Sequence, residues 1–230
     1  MKKVIRKINK TIAIVCVIPT LNEAITIPAV ISKAKKFSNR VVVVDGYSDD
    51  GTPEAAFKAG ADVIFQEGEG KGNALRTVFN KIYGDVYIII DGDGTYDAME
   101  IDRIIKPILY NQADLVVGSR LSGRMEKGAI SKINKIGNHL FNFLINLFFK
   151  GNITDSQSGF RAIHRNVVET MELTSEGFEI ETEITIKALK AGLRIREIPI
   201  SYSSRRGSPS KLSSFKAGIR IVRTILKSLV

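Results

Sequence analysis

Short β-branched apolar runs alternate with helical segments through the first half of the chain, and this limits the folds open to it more than any other feature. Residues 12–18, 41–44, 63–65, 86–90 and 115–117 read as buried strands, because each is a compact apolar run ending in polar turn residues. Residues 23–36, 52–59, 73–83 and 98–110 read as the helices between them. Such alternation implies an α/β fold, a mostly parallel sheet flanked by helices. Ligands of such sheets bind beyond the carboxyl ends of the strands. The residues that terminate these runs therefore carry the functional information.

Those termini are acidic. The first run ends in Pro19-Thr20-Leu21-Asn22-Glu23, the second in Asp45-Gly46-Tyr47-Ser48-Asp49-Asp50-Gly51-Thr52, and another in Asp91-Gly92-Asp93-Gly94-Thr95-Tyr96-Asp97. Any one of them has the composition of an ordinary turn. Three converging on one sheet edge are costly unless a cation joins them. Asp91 and Asp93 suit a hard Mg²⁺ or Mn²⁺, which takes one or two carboxylates together with substrate phosphates. Other readings of the loop fail on spacing. A calcium EF-hand needs Gly sixth and a carboxylate twelfth, with an oxygen ligand fifth; the chain has Tyr96, Asp102 and Thr95 there. A P-loop fails because Lys71 precedes Gly72 rather than Ser or Thr. A haloacid-dehalogenase-like phosphatase would keep further aspartates on a later loop, and none follows Asp155.

With Gly70-Lys71-Gly72-Asn73-Ala74-Leu75-Arg76, Leu115-Val116-Val117-Gly118-Ser119-Arg120 and Asp155-Ser156-Gln157-Ser158-Gly159-Phe160-Arg161 added, the chain resembles the family 2 glycosyltransferases. Ser204-Arg205 and Ser210-Lys211-Leu212 narrow the resemblance to the dolichyl-phosphate and polyprenyl-phosphate sugar synthases. The resemblance implies a GT-A fold in a single domain: a nucleotide-sugar half over about 11–120, an acceptor half over about 121–211, and a basic amphipathic helix over 212–230. It implies that Pro19, Thr20, Glu23 and Asp45 hold base and ribose. Lys71, Asp91, Gly92 and Asp93 would serve the ribose, diphosphate and metal, with Thr95 where mannosyl members often carry a Gln metal contact. Arg120, Arg205 and Lys211 match basic residues around the phosphates, and Asp93 and Arg120 would be the catalytic pair. The chain departs from the family pattern at Leu21, usually aromatic, and at Gly46, usually Asp.

The chemistry of the acceptor is consistent with this. A hydroxyl acceptor needs a general base, for which Asp155 is the candidate, whereas a phosphomonoester, with a second pKa of about 6, is already ionised. It needs positioning and charge, which Arg120, Lys132, Lys135, Arg205 and Arg206 could supply.

Lys and Arg total 34 against 24 acidic residues. The excess gathers at residues 1–10, 120–150 and 201–230, which points to a polyanionic partner. Nucleic acid fits poorly, because no recognition motif is present and acidic loops line the binding edge. On a helical wheel Lys135, Asn138, His139, Asn142, Asn146 and Lys150 form a polar stripe, with Leu140, Phe141, Phe143, Leu144, Leu147 and Phe148 covering much of the rest. In the last segment Lys216, Arg220, Arg223 and Lys227 form a basic row beside apolar residues. Each helix reads either as a surface-lying membrane anchor or as a helix packed on the sheet. The uncharged stretch 136–149 is too short to span a bilayer. The expectation is a peripheral protein at the cytosolic face of a membrane, joining a nucleotide sugar to dolichyl or polyprenyl phosphate.

Overall fold

The computed structural model describes residues 12–205 and 214–229. Arg206 and Lys211, expected at the phosphates, lie outside the described residues, as does the basic N-terminal stretch. The first half follows the alternating pattern: β1 (Ile14–Thr20), α1 (Ile27–Ala34), β2 (Arg40–Asp45), α2 (Thr52–Lys58), β3 (Asp62–Phe65), α3 (Lys71–Lys81), β4 (Val86–Ile89), a 3₁₀ turn (Ala98–Glu100) and α4 (Ile101–Leu109). The second half contains β5 (Leu115–Met125), α5 (Lys132–Phe149), β6 (Arg161–His164), α6 (Arg165–Thr170), α7 (Ile180–Lys190), β7 (Ile195–Tyr202) and α8 (Ser214–Lys227).

The strands form one seven-stranded sheet in the order β3-β2-β1-β4-β6-β5-β7. All pairs are parallel except those of β6, which runs against both β4 and β5. Side-chain alternation splits β1 between two cores. Cys16 and Ile18 join Ile27, Ile31, Ile101 and Ile104 of α1 and α4 on one face. Val15 and Val17 join Leu75, Val78, Ile180 and Ile184 of α3 and α7 on the other. The four isoleucines of α4 facing the sheet are buried, each worth about 1.5–3 kcal/mol.

Several elements differ from the sequence expectation for identifiable reasons. Pro28 in the first turn sets the start of α1, leaving Glu23 in the loop that precedes it. The helix expected over 98–110 begins as a 3₁₀ turn, because the Asp97 carboxylate accepts the Met99 amide. β5 runs well past Val117, with a register shift against β7 between Ser119 and Arg124. There Gly123 is obligatory: a Cβ would lie 2.0 Å from the Ile200 carbonyl oxygen.

The reversed direction of β6 matters most for the site. Arg161 pairs with Ile89 at the carboxyl end of β4, so the loop entering β6 lies on the edge that already carries the acidic turns. The parallel course of β7 delivers Tyr202 and Arg205 to the same edge, where Ser203 N–H donates to the Thr95 carbonyl.

Candidate active site

A cavity of about 1100 Å³ opens along this edge. Its polar end is walled by Thr20, Glu23, Asp91, Asp93, Arg120 and Arg205, and Pro19, Lys71, Gly92 and Thr95 also line it. Glycines allow the close approaches. A Cβ on Gly159 would lie 2.7 Å from both Asp91 Oδ2 and Lys71 Nζ, and one on Gly72 would lie 2.2 Å from the Ser175 carbonyl oxygen.

The two aspartates are held differently. Lys71 Nζ, on the first turn of α3, lies 2.5 Å from Asp91 Oδ1 and 2.6 Å from Glu181 Oε1. These two carboxylates hold the Lys71 ammonium well above its ordinary pKa despite the burial that opposes it. Asp93 Oδ1 accepts from the Thr95 backbone N–H at 3.0 Å and its hydroxyl at 2.6 Å. Asp93 Oδ2 lies 3.2 Å from Arg205 Nη1, and the other guanidinium nitrogen, Nη2, donates to Glu23 Oε1. Burial, then the neighbouring Asp91, raises the Asp93 pKa in spite of these donors. Asp91 and Asp93 are hard oxygen donors, and their cations Lys71 and Arg205 are each shared with a second carboxylate, Glu181 and Glu23. The two aspartates fit a Mg²⁺ or Mn²⁺ completed by substrate phosphates. Among the described residues no group of three or more His, Cys, Asp and Glu side chains forms a self-sufficient metal cage.

Arg120 and Asp155 form a buried bidentate pair. The Arg120 Nε donates to Asp155 Oδ2 at 2.8 Å and Nη2 donates to Oδ1 at 2.7 Å, with the Arg120 backbone N–H also on Oδ2. The guanidinium stacks over Tyr202, 5.3 Å from the ring centroid. Asp155 is 0% exposed and its backbone N–H is held by Glu197. This corrects the sequence reading of Asp155 as a general base: both oxygens are occupied and neither faces the cavity.

Two further expectations shift. Asp45 lies beneath the cavity wall, its carboxylate accepting from the Thr20 hydroxyl and from the hydroxyl and amide of Ser48. It shapes the loop, while its neighbour Gly46 lines the cavity. Lys132 and Lys135 are exposed and lie off the cavity wall, which is lined here by Ser131, the cap of α5, and by Asn134 and Asn138. The polar stripe of α5 does not face water throughout. Asn142 is buried, its Oδ1 accepting from the Ser156 amide and hydroxyl and its Nδ2 donating to the Thr154 carbonyl; Asn146 holds Ile153 on both its backbone groups.

The apolar residues of α5 therefore divide. Ile145, with Phe141 and Leu144, packs against Ile186 of α7 and Ile221 and Ile225 of α8. Ile133, Ile136, Leu140, Phe143 and Leu147 stay exposed, Ile133 by 77%. On α8, Phe215, Ile219 and Leu226 are exposed beside Lys216, Arg220, Arg223 and Lys227. The two helices pack on each other and on α7 rather than chiefly on the sheet. The far end of the cavity opens between them, walled by Ile133, Phe141, Phe215, Ile219 and Val222. Among the described residues no helix is long and apolar enough to cross a membrane.

The sequence reading missed Tyr96, Gln157, Phe178, Glu181 and Tyr202, all of which line the cavity. Glu179, Glu181 and Glu183 offered a signal, as carboxylates embedded in an apolar segment.

Residues 15–171 match the profile described as Glycosyl transferase family 2. Among curated proteins, Glycosyltransferase AglJ of Haloferax volcanii is 39% identical over 209 residues, covering 89% of this chain and 68% of that protein. The hexosyltransferase Agl6 of the same organism is 36% identical over 91% of this chain, which spans about half (52%) of its length. The dolichyl-phosphate hexose transferase of Haloferax volcanii is 32% identical, covering 92% of this chain and 91% of that protein. Among solved structures, glucosyl-3-phosphoglycerate synthase from Mycobacterium tuberculosis, in complex with Mn²⁺, UDP and phosphoglyceric acid, superposes with a TM-score of 0.78. It is 21% identical and covers 95% of this chain and 78% of that one, which establishes a shared GT-A-like fold.

Proposed function

The chain belongs to glycosyl transferase family 2, and from that premise we propose that it transfers a hexose or N-acetylhexosamine from a UDP- or GDP-sugar to the phosphate of a polyprenyl or dolichyl carrier. The observation that carries this reading is the continuity of the cavity. It joins the carboxylates and arginines of the strand ends to an apolar mouth between α5 and α8. A charged donor suits one end and an isoprenoid chain the other. The name of the dolichyl-phosphate hexose transferase from Haloferax volcanii describes the same class of acceptor. The donor half is read as about 11–120 and the acceptor half as about 121–211.

In this mechanism the donor lies across the ends of β1 and β4, its nucleoside against Pro19, Thr20 and Glu23. A divalent cation at Asp91 and Asp93 would neutralise the diphosphate as it leaves. The chain's own part is to place cations and exclude water. Lys71 fixes Asp91, Thr95 orients Asp93, and Arg205 reaches both Glu23 and Asp93. Arg120, locked by Asp155, offers a guanidinium already oriented for a phosphate, at no further ordering cost. An oxygen of the lipid phosphate attacks the anomeric carbon while the bond to the donor diphosphate breaks on the opposite side, inverting the configuration. The phosphate enters ionised, so no side chain has to take a proton. The exposed apolar ridges of α5 and α8, with the basic row beside them, are read as lying against the membrane surface that holds the carrier.

The test is transfer of radiolabelled sugar from a panel of UDP- and GDP-sugars to polyprenyl and dolichyl phosphates, with Mn²⁺, Mg²⁺ or EDTA. Label in the organic phase with one donor, lost in EDTA, is the expected result. Slow donor hydrolysis with no labelled lipid would remove the acceptor assignment.

A further inference from the structure

Glu181 sits on the first turn of α7 with its side chain 5% exposed, and it lines the cavity. One carboxylate oxygen, Oε1, lies 2.6 Å from Lys71 Nζ. The other, Oε2, is buried and has no hydrogen-bond partner among the described residues. A buried carboxylate oxygen without a donor is unfavourable, because it has given up water and received nothing in return. The reaction outlined above does not use this group. Lys71 is shared by Glu181 and Asp91, which ties Glu181 to the carboxylate pair of the strand ends.

The surroundings narrow what could supply the missing donor. The Gln157 amide is committed to the Ser156 and Thr182 hydroxyls. Phe178, three residues before Glu181, is partly exposed on the cavity wall, its ring centroid 6.0 Å from Lys71 Nζ. An acceptor-only carboxylate beside an aromatic face suits a ring that is apolar on one side and carries hydroxyl donors at its edge. The loop 175–178 that leads into α7 is tied to the first turn of α3. Asn73 N–H donates to the Glu176 carbonyl, and Gly70 and Gly72 leave no room for side chains against Ser175 and Glu176.

We propose that Glu181 Oε2 accepts a hydrogen bond from a hydroxyl of the transferred sugar, making Glu181 a residue that selects the donor by its glycosyl group rather than its nucleotide. This rests on the donor being a nucleotide sugar, and the test separates the two claims because it needs no acceptor.

Binding of UDP, UDP-glucose, GDP and GDP-mannose is measured by calorimetry in Mn²⁺ for the wild-type chain, Glu181→Gln and Glu181→Ala. Thermal melts check that each variant folds. For the nucleotide that binds, both variants weaken its sugar conjugate at least about tenfold while the free diphosphate binds within about twofold. One monodeoxy analogue of the bound sugar loses the same factor in the wild type and nothing further in Glu181→Ala. Equal losses for conjugate and free diphosphate would mean that Glu181 acts only by holding Lys71 and Asp91, and would overturn the proposal. Unchanged binding of the conjugate, or unfolding of both variants, would overturn it as well. If neither nucleotide binds the wild type, the donor reading falls and takes this inference with it.

Discussion

At the scale of single residues, the Arg120–Asp155 pair bears on the proposed acceptor by occupying Asp155, the base candidate for a hydroxyl. A general base must present an oxygen to the proton it takes, and both oxygens of Asp155 are held by Arg120. Removing one member of a buried pair leaves an uncompensated charge. Asp155→Ala should therefore cost about 3–5 kcal/mol in urea unfolding, and Asp155→Asn should also be measurably destabilised. An Asn variant as stable as wild type but inactive would instead revive the base. Asp93 gives a second prediction with a defined sign. Its folded-state pKa is raised, so the folded state binds the proton more tightly than the unfolded chain does, and the stability linked to this group is lost as pH rises through that pKa. In EDTA at neutral pH, Asp93→Asn should raise Tm, with the gain disappearing as the pH falls far enough to protonate Asp93. A lower Tm at neutral pH would contradict the arrangement. Asp91 and Asp93 were legible in the sequence because a buried strand must end before them. Glu181 showed in the sequence only as one of three carboxylates in an apolar segment, since its contact with Lys71, far away in the chain, exists only in the folded structure.

At the scale of elements, α5 shows where periodicity stops being informative. A helical wheel sorts residues by polarity, and by that criterion Asn142 and Asn146 belong with Lys135 in one polar stripe. The fold turns them inward because the loop 153–156 has backbone groups that need partners, and the asparagines supply them. The side left outside is therefore apolar. Replacing Leu140 and Phe143 by Ser should leave unfolding free energy within about 0.5 kcal/mol per site, as for other exposed positions. The same double variant should sediment less with vesicles containing anionic lipid. Asn142→Ala, by contrast, should cost about 1–3 kcal/mol by stranding buried polar groups. A large stability loss in the double serine variant would place those residues in a packed interface instead.

At the scale of the molecule, the parallel half of the sheet could be read from its alternating runs, whereas the reversal at β6 could not. β6 has only four residues and begins with Arg161, a fully buried cation held by the Ser156 and Ser158 carbonyls and the Thr185 hydroxyl. β7 is only partly buried and carries Arg196 and Glu197, so no apolar run marks it. Yet these two strands bring Asp155, Tyr202 and Arg205 to the edge where β1 and β4 leave Thr20, Asp91 and Asp93. The central claim is that this edge serves a phosphate that arrives already ionised, so that transfer does not depend on a base taking a proton from the acceptor. The most direct measurement is a side-by-side assay of one labelled sugar donor with polyprenyl phosphate and with the free polyprenol of the same chain length. Transfer to the phosphate alone is the predicted result, with a rate that falls as the pH drops below about 6 and the phosphate is protonated. Transfer to the alcohol at a comparable rate would contradict it.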